Sequence, residues 1–539
     1  MKRLNKIVFG LGILLMGLSS LSSCIEETEP TSYATTDQVA QSSSATEALL
    51  MAQPAYFNHL WDEDRHYSFG YGAMMHIRDL MCGDLTKNTT SYNQWRYWIC
   101  NQYQGDQYVF GQFVWNYYYG FVLTANNMIS GVNPETATDE QLGFLGTGYA
   151  FRAMLYLDLA RLYEFLPNEK TSNININGND VTNLTVPIVK AEMPLDSTRN
   201  NPRATRETMK NFIEEDLNTA EEYIVNLTTT NGHTLPDLAC VYGLKARLYM
   251  WVEDYAKAQE YARKAIDATA TTPMSEEQCL NVNTGFNVTD PWMWGAQMTT
   301  EDEVVQTGII NWTSHLSNES TFGYCGASTG LYNICDRRFY ERISDTDFRK
   351  KEFKAPAGSA LDGQTRFLNP ATAVDIPDYG MVKFRCGQGN ADDYMTGGAT
   401  AYPIMRVEEM YFIEAEAAAH QNATQGKQLV EDFMKKYRDP QYTCSATSTD
   451  DVVEEIVFQK RVELIGEGHT FFDIKRLNYS VTRGYPGTNW AISTALFNTN
   501  GRPAWMNFVM VRTEKNNNKA VDGWNNPDPS DVYKPWTGQ

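Results

Sequence analysis

Trp95, Trp98 and Asn101 recur three residues apart in the segment YNQWRYWICNQ (92–102), with Arg96 between the two indoles. Flat aromatic faces stack on the apolar C–H faces of pyranose rings, while amide and guanidinium groups fix hydroxyls, so the pattern suits recognition of sugar rings. A second group follows at 291–324: Trp292 and Trp294, which share a face if that segment is extended, then Trp312 and Tyr324. The competing reading for both groups is core packing, which large aromatic side chains favour. Composition leaves room for both, since the chain holds 12 Trp, 31 Tyr and 24 Phe, 12% of its residues.

Residues able to do catalysis do not assemble into a recognisable pattern. Seven His are scattered at 59, 66, 76, 233, 315, 420 and 469, with no HExxH and no His/Cys spacing for zinc. No Walker loop is present. A glycosidase needs two carboxylates facing a sugar, about 5 Å apart for retention or about 6.5–9.5 Å for inversion. Glu414 and Glu416 fit that poorly, because residues two apart on a helix diverge in direction. The expectation is a protein that is not an enzyme. No cofactor is expected, and a structural Ca²⁺ bound by Asp and carbonyl oxygens has no readable signature here.

The elements that would position these rings belong to a long exported chain. Its 539 residues, 42% hydrophobic and 21% charged, exclude wholesale disorder. A net charge of −21 argues against a general nucleic-acid binder. The first 23 residues have a basic start (Lys2, Arg3, Lys6) and an apolar run from Ile7 to Leu18, as a secretory signal does. Leu21-Ser-Ser-Cys24 is similar to the lipobox of bacterial lipoproteins, where cleavage precedes a Cys that takes diacylglycerol. Acyl chains contribute about 0.8 kcal/mol per buried CH₂, so a lipidated Cys24 anchors without a spanning helix. No later stretch approaches the roughly 18 apolar residues that a span requires. Cleavage would take the mature charge from −21 to −24, and residues 24–45, rich in Glu, Ser and Thr, read as a tether. The other eight Cys lack any CxxC spacing; some could pair in an oxidising compartment, but small buried hydrophobes are the simpler reading.

From residue 46 onward the pattern is helical pairs interrupted by irregular chain. A Ser44-Ala-Thr-Glu47 capping box predicts a helix running toward Leu60, with Pro54 as an interior break. Residues 106–130 read as an aromatic buried helix, 149–165 and 208–225 as amphipathic ones. The clearest pair is 237–268, where Ala258, Ala262 and Ala265 on the second helix allow close approach to the first, as in a tetratricopeptide unit. A second pair is expected at 403–438 and a further helix at 452–466. The fold class is therefore mainly α, a tetratricopeptide-like array of helical pairs over about 46–270 and 403–470, in a single domain spanning 46–539. Irregular regions at about 275–400 and 478–539 would form the ligand-binding face.

Three segments in order then resemble the SusD/RagB family of outer-membrane nutrient-binding lipoproteins. Residues 148–166 followed by Val186-Pro187-Ile188 are similar to the family's "A-x-FLRA-x-x-Y-x-x-L-x-x-x-YG" helix and its later "VPL". PIMRVEEMYFIEAEAA (403–418) is similar to "P-V-x-R-x-A-E-V-x-L-x-x-AEA". IVFQKRVELIGEGHTFFDIKRL (456–477) is similar to "I-x-x-ER-x-x-EL-x-x-EG-x-R-x-x-DL-x-R", with Arg461, Glu463, Leu464, Glu467, Gly468, Asp473 and Arg476 in place and His469 where Arg is common. Glu463 and Glu467 lie four apart and would repel unless cations sit between them, so this charged set is read as holding the last helix on the array.

The resemblance implies a cell-surface lipoprotein that binds oligosaccharides or polysaccharides and passes them to a SusC-like TonB-dependent outer-membrane transporter, without catalysis. It also implies an aromatic arc from the early region and later loops, carrying Trp95, Trp98, Arg96 and Asn101 over as ligand-binding residues, and Trp292, Trp294, Trp312 and Tyr324 by region. Partners would be the transporter, a glycan and the outer membrane through the lipid. The RagB branch implies peptide capture as the alternative, and a lipid-tethered glycoside hydrolase is the third reading.

Overall fold

The computed structural model describes residues 42–61, 65–90, 94–283 and 286–538. The signal segment, Cys24 and most of the expected tether lie outside them. Helices α1 (Ser43–Tyr56) and α2 (Tyr71–Leu80) lead to strand β1 (Leu85–Lys87), the single turn α3 (Arg96–Ile99) and the aromatic α4 (Val109–Ser130). Then come α5 (Asp139–Tyr163), α6 (Arg206–Tyr223), α7 (Leu238–Trp251) and α8 (Tyr255–Ala268). The irregular region contributes β2 (Trp294–Gln297) and β3 (Asn333–Cys335). β4 (Ala401–Met405) opens the last helical group: α9 (Val407–Gln421), α10 (Ala423–Tyr437), α11 (Thr449–Glu463) and α12 (Thr470–Leu477).

Helix starts follow capping chemistry. Ser42 caps α1 by accepting from Ala45 N–H at 3.3 Å, so the expected box at Ser44 and Glu47 is not the one used. Pro54 falls in the last turn, where the helix ends two residues later. Thr138 and Gln141 form a reciprocal capping box that starts α5 ten residues before the expected 149. Pro403, Ile404 and Met405, expected to be helical, instead lie in β4. Their backbone pairs with β2, with Gly295 opposite Pro403 and Ala296 opposite Tyr402, and only Val407 onward is free to coil.

The array runs from neighbour to neighbour. α1 packs on α4, α4 on α5, α5 on α6, α6 on α7, α7 on α8, α8 on α9, and α9 on both α10 and α11. Each pair covers the apolar face its neighbour leaves bare. Ala258, Ala262 and Ala265 are fully buried where α8 meets its neighbours. Between α9 and α10 a Cβ at Gly426 would come within 2.6 Å of the Ala419 backbone, so only glycine permits that approach. Two antiparallel ribbons, β1–β3 and β2–β4, stitch the irregular region to the helices.

The charged motif at 456–477 is a buried clamp. Glu463 accepts from Arg438 Nε and Nη2 at 2.6 and 2.8 Å, from Arg406 at 3.1 Å and from Arg349 Nη1 at 3.2 Å. Arg406 also donates to Glu467 at 3.0 and 3.1 Å, so one guanidinium separates the two glutamates, and Lys383 Nζ adds a 2.7 Å contact to Glu467. Arg461 pairs with Asp84 beside β1, and Arg476 with Glu416 on α9. The set fastens α11 and α12 to β1, α9, the end of α10 and the turn at 348–352. Its role is structural, as its charge pattern implies.

This clamp sets an acid limit on stability. Burial alone would raise the carboxyls of Asp158, Glu409 and Glu416, yet Arg78 and Arg161, Arg247, and Arg476 respectively outweigh it and hold all three at about 2. Glu463 is held well below the usual carboxylate range against its own burial, chiefly by Arg438. Burial also pushes the imidazoles of His76, His315 and His469 well below 6.5. All these folded-state values lie below the unfolded ones, so their stability is present above the unfolded pKa and lost as pH falls. The melting temperature should decline from about pH 6.5 as unfolded His takes up protons, and steeply between about pH 4.5 and 2. Glu352, raised to about 7 by burial, opposes this, as do Asp79, Glu164 and Asp216, which burial also raises, because such contributions are lost as pH rises through the folded-state values. Melting scans across pH 2–8 check the profile; a flat melting temperature down to pH 3 contradicts it.

Candidate ligand-binding surface

The single turn of α3 decides which early rings reach solvent. Trp95, at its start, and Trp98 face inward, and Arg96 and Tyr97 between them face out. The chain then bends through two non-glycine residues with left-handed backbone, Asn101 (φ 51°) and Tyr103 (φ 56°). That conformation costs a bulky residue of order 1 kcal/mol and persists where surrounding packing imposes it. Here the C-terminal segment imposes it: Gln104 N–H donates to Ser530 Oγ at 2.8 Å, and a Cβ at Gly105 would lie 2.2 Å from Asp528 Oδ2.

The bend lays four rings in a row. Phe110 and Tyr97 are tilted by 30° with centroids 4.2 Å apart, Tyr97 and Tyr103 are 5.2 Å apart, and Tyr103 and Tyr108 are 5.0 Å apart. Tyr103 is 41% exposed, and the other three are half-buried. Arg96 lies 4.8 Å over the Tyr97 ring, and its Nη2 donates to the Tyr97 hydroxyl at 2.8 Å. The surface thus offers ring faces flanked by phenol hydroxyls and a guanidinium, the groups that hold a sugar.

The structure corrects the expected site residue by residue. Trp95 is fully buried: its Nε1 donates to His315 Nδ1 at 2.8 Å and its ring meets His76 and Trp98. Trp98 is 3% exposed, edge-on to Tyr67 and Phe110. Asn101 is buried and donates to Ile99 O at 3.2 Å. Trp294, in β2, is fully buried, with its ring edge-on to Phe57 and Phe151 and its Nε1 on Thr234 O at 3.1 Å. Trp312 stacks on Tyr402 at 4.9 Å, and Trp292 packs on Phe286. Tyr324 is stacked on His315, with its hydroxyl on His66 Nδ1. Seven of the eight expected binding residues therefore present no face to solvent, because the segments carrying them are the floor on which α2, α4 and β4 pack. Arg96 alone stands at the surface.

Tyr97, Tyr103 and Tyr108 were missed, although a signal existed: if 95 and 98 point inward on one helical turn, 96 and 97 must point out. The residues considered for catalysis are occupied structurally, with Glu414 paired to Arg263 and Glu416 to Arg476. Residues 326–330 (GASTG) spell G-x-S-x-G. It forms a tight surface turn closed by the Gly326–Leu331 bridge, not a strand-to-helix elbow. Cys82, Cys100, Cys240, Cys279, Cys325, Cys335, Cys386 and Cys444 are all buried free thiols. Among the described residues, no cluster of three His, Cys, Asp or Glu could hold a metal, and no helix is long and apolar enough to cross a membrane.

Comparison with known families reads the same way from both ends of the chain. Residues 363–535 match the SusD family, and residues 31–250 match a family described as starch-binding and associating with the outer membrane. The chain belongs to the SusD/RagB family. Among solved structures, a SusD-like carbohydrate binding protein from Bacteroides vulgatus is 21% identical, with a TM-score of 0.67 over 88% of this chain and 96% of its own. A putative sugar binding protein from the same organism is 17% identical, with a TM-score of 0.64 over 88% and 97%. A SusD superfamily protein from Bacteroides fragilis is 18% identical, with a TM-score of 0.63 over 89% and 99%. At these identities the likeness is one of fold. No curated protein matches the sequence. This SusD-like chain carries the family's helical array, and its α3–α4 segment sets out a row of tyrosines rather than tryptophans.

Proposed function

We propose that this SusD-like chain is a non-catalytic, lipid-anchored glycan-binding protein at the outer membrane, and that it hands its ligand to a SusC-like TonB-dependent transporter. The observation that supports the reading best is the row Phe110–Tyr97–Tyr103–Tyr108 with Arg96 beside it, held in shape by strained backbone. Tyr103 is the most exposed ring of the row, and the C-terminal segment packed behind Gly105 holds it there. The family's starch-binding, outer-membrane description and the lipobox at Cys24 supply the ligand class and the anchor.

Titration of the purified mature chain against a glycan panel tests this. A stacked ring is worth about 0.5–1.5 kcal/mol, so Tyr103→Ala should weaken glycan affinity about 3- to 10-fold. Tyr97→Ala with Tyr103→Ala should bring it below detection, with the melting temperature within a few degrees of the parent. Unchanged affinity in the double variant sinks the site. Release of new reducing ends would instead support the hydrolase reading, and binding of peptides alone would support the RagB-like one.

A further inference from the structure

A cavity of about 190 Å³ lies between the ends of α5 and α7, the first turns of α6 and α9, and α11–α12. Seven arginine and lysine side chains line it with four carboxylates, and two carboxylates just outside the lining, Asp158 and Glu416, pair with Arg161 and Arg476. Most of the carboxylate oxygens are engaged, although Glu164 Oε1 and Asp473 Oδ2 are buried without a hydrogen-bond partner among the described residues. Glu409 accepts from Arg247 Nε and Nη2 at 2.8 and 2.5 Å, Asp473 lies 2.9 Å from Lys460 Nζ, and Glu164 accepts from Trp251 Nε1 at 2.8 Å. Glu253 stands at the mouth, its side chain 50% exposed and 4.0 Å from Arg206.

More donors than acceptors are left over. The Arg247 side chain is only 5% exposed, yet Nη1 has no protein acceptor among the described residues. Arg161 uses Nε on Leu157 O and Nη2 on Asp158, leaving Nη1 unused. Arg502 uses only Nε, on Asn478 Oδ1 at 3.2 Å. Burial pushes Lys475 and Arg502 down from their ordinary values, against the opposing pull of Glu164. Buried donors seek an acceptor.

We infer that this cavity is an oxyanion site, seating a sulfate, phosphate or carboxylate group among Arg161, Arg247 and Arg502. Planar guanidinium forks match the geometry of such groups, and one water needs only about 10–15 Å³, so an oxyanion fits with waters beside it. The anion arrives past Arg206 and Glu253, the most exposed members of the lining. It is either a free inorganic ion or the acid group of a charged sugar. The site shares no residue with the tyrosine row and does not depend on the glycan-binding reading.

Calorimetric titration with sodium sulfate at constant ionic strength, with chloride as reference, should show one saturable site. Arg502→Gln should weaken it roughly tenfold or more, as loss of a charge-assisted hydrogen bond does, while the unliganded melting temperature moves by only a few degrees. Glucuronate binding more tightly than sulfate, with glucose silent, would assign the acid sugar as the source; the reverse order would assign the free ion. A selenate soak of the unaltered protein, independent of any variant, should place anomalous density within hydrogen-bond reach of Arg247 Nη1. Sulfate binding no better than chloride, or selenate only at other positions, would overturn the assignment.

Discussion

Glu463→Ala should remove a large share of the stability of the fold. Its two carboxylate oxygens receive hydrogen bonds from Arg349, Arg406 and Arg438, whose side chains are 0–2% exposed. Removing the carboxylate leaves three guanidinium groups around an uncompensated hole, and breaking a buried ion pair on one side costs about 3–5 kcal/mol. Total stability of a domain is about 5–15 kcal/mol, so the loss is a large share of it. Urea unfolding followed by circular dichroism reads the effect. Glu414→Ala is the contrast: its partner Arg263 is 41% exposed, and the change should cost under about 1 kcal/mol. Equal costs for the two would show that the clamp is not what holds α11 on the array.

Trp98→Ala is the second large effect, and its direction separates two accounts of the same segment. A solvent-facing indole would lose glycan binding with little change in stability. An indole 3% exposed between Tyr67, Trp95 and Phe110 leaves a cavity when truncated, and such changes cost about 3–5 kcal/mol. The expected result is a marked fall in melting temperature, with glycan affinity of the fraction still folded retained. Tyr103→Ala should give the opposite pattern: near-normal stability and weakened binding. If Trp98→Ala melts normally and loses all binding, Trp98 faces the ligand and the tyrosine row does not.

The helical pairs were legible because their signal is local. The small-residue spacing of Ala258, Ala262 and Ala265, and the acidic turn before Tyr255, mark α7 and α8 almost to the residue. The β4 segment was misread because Pro403-Ile404-Met405 has no periodicity of its own. Its strand exists only because Trp294–Gln297, more than a hundred residues earlier in the chain, supplies the ladder partner. The clamp was half legible: the Glu463–Glu467 spacing demanded a cation between them, but nothing local named Arg406.

The amino-acid sequence by itself determined the helical array, the family and the segment from which the candidate site is built, since each is written in spacing along one stretch of chain. Tertiary structure alone decided which aromatic rings are wall and which are surface. Indoles three apart look the same whether their shared face meets a ligand or a neighbouring helix. Only the packing of α2 and α4 over Trp95 and Trp98, and the C-terminal segment behind Gly105, leaves Tyr97 and Tyr103 facing solvent.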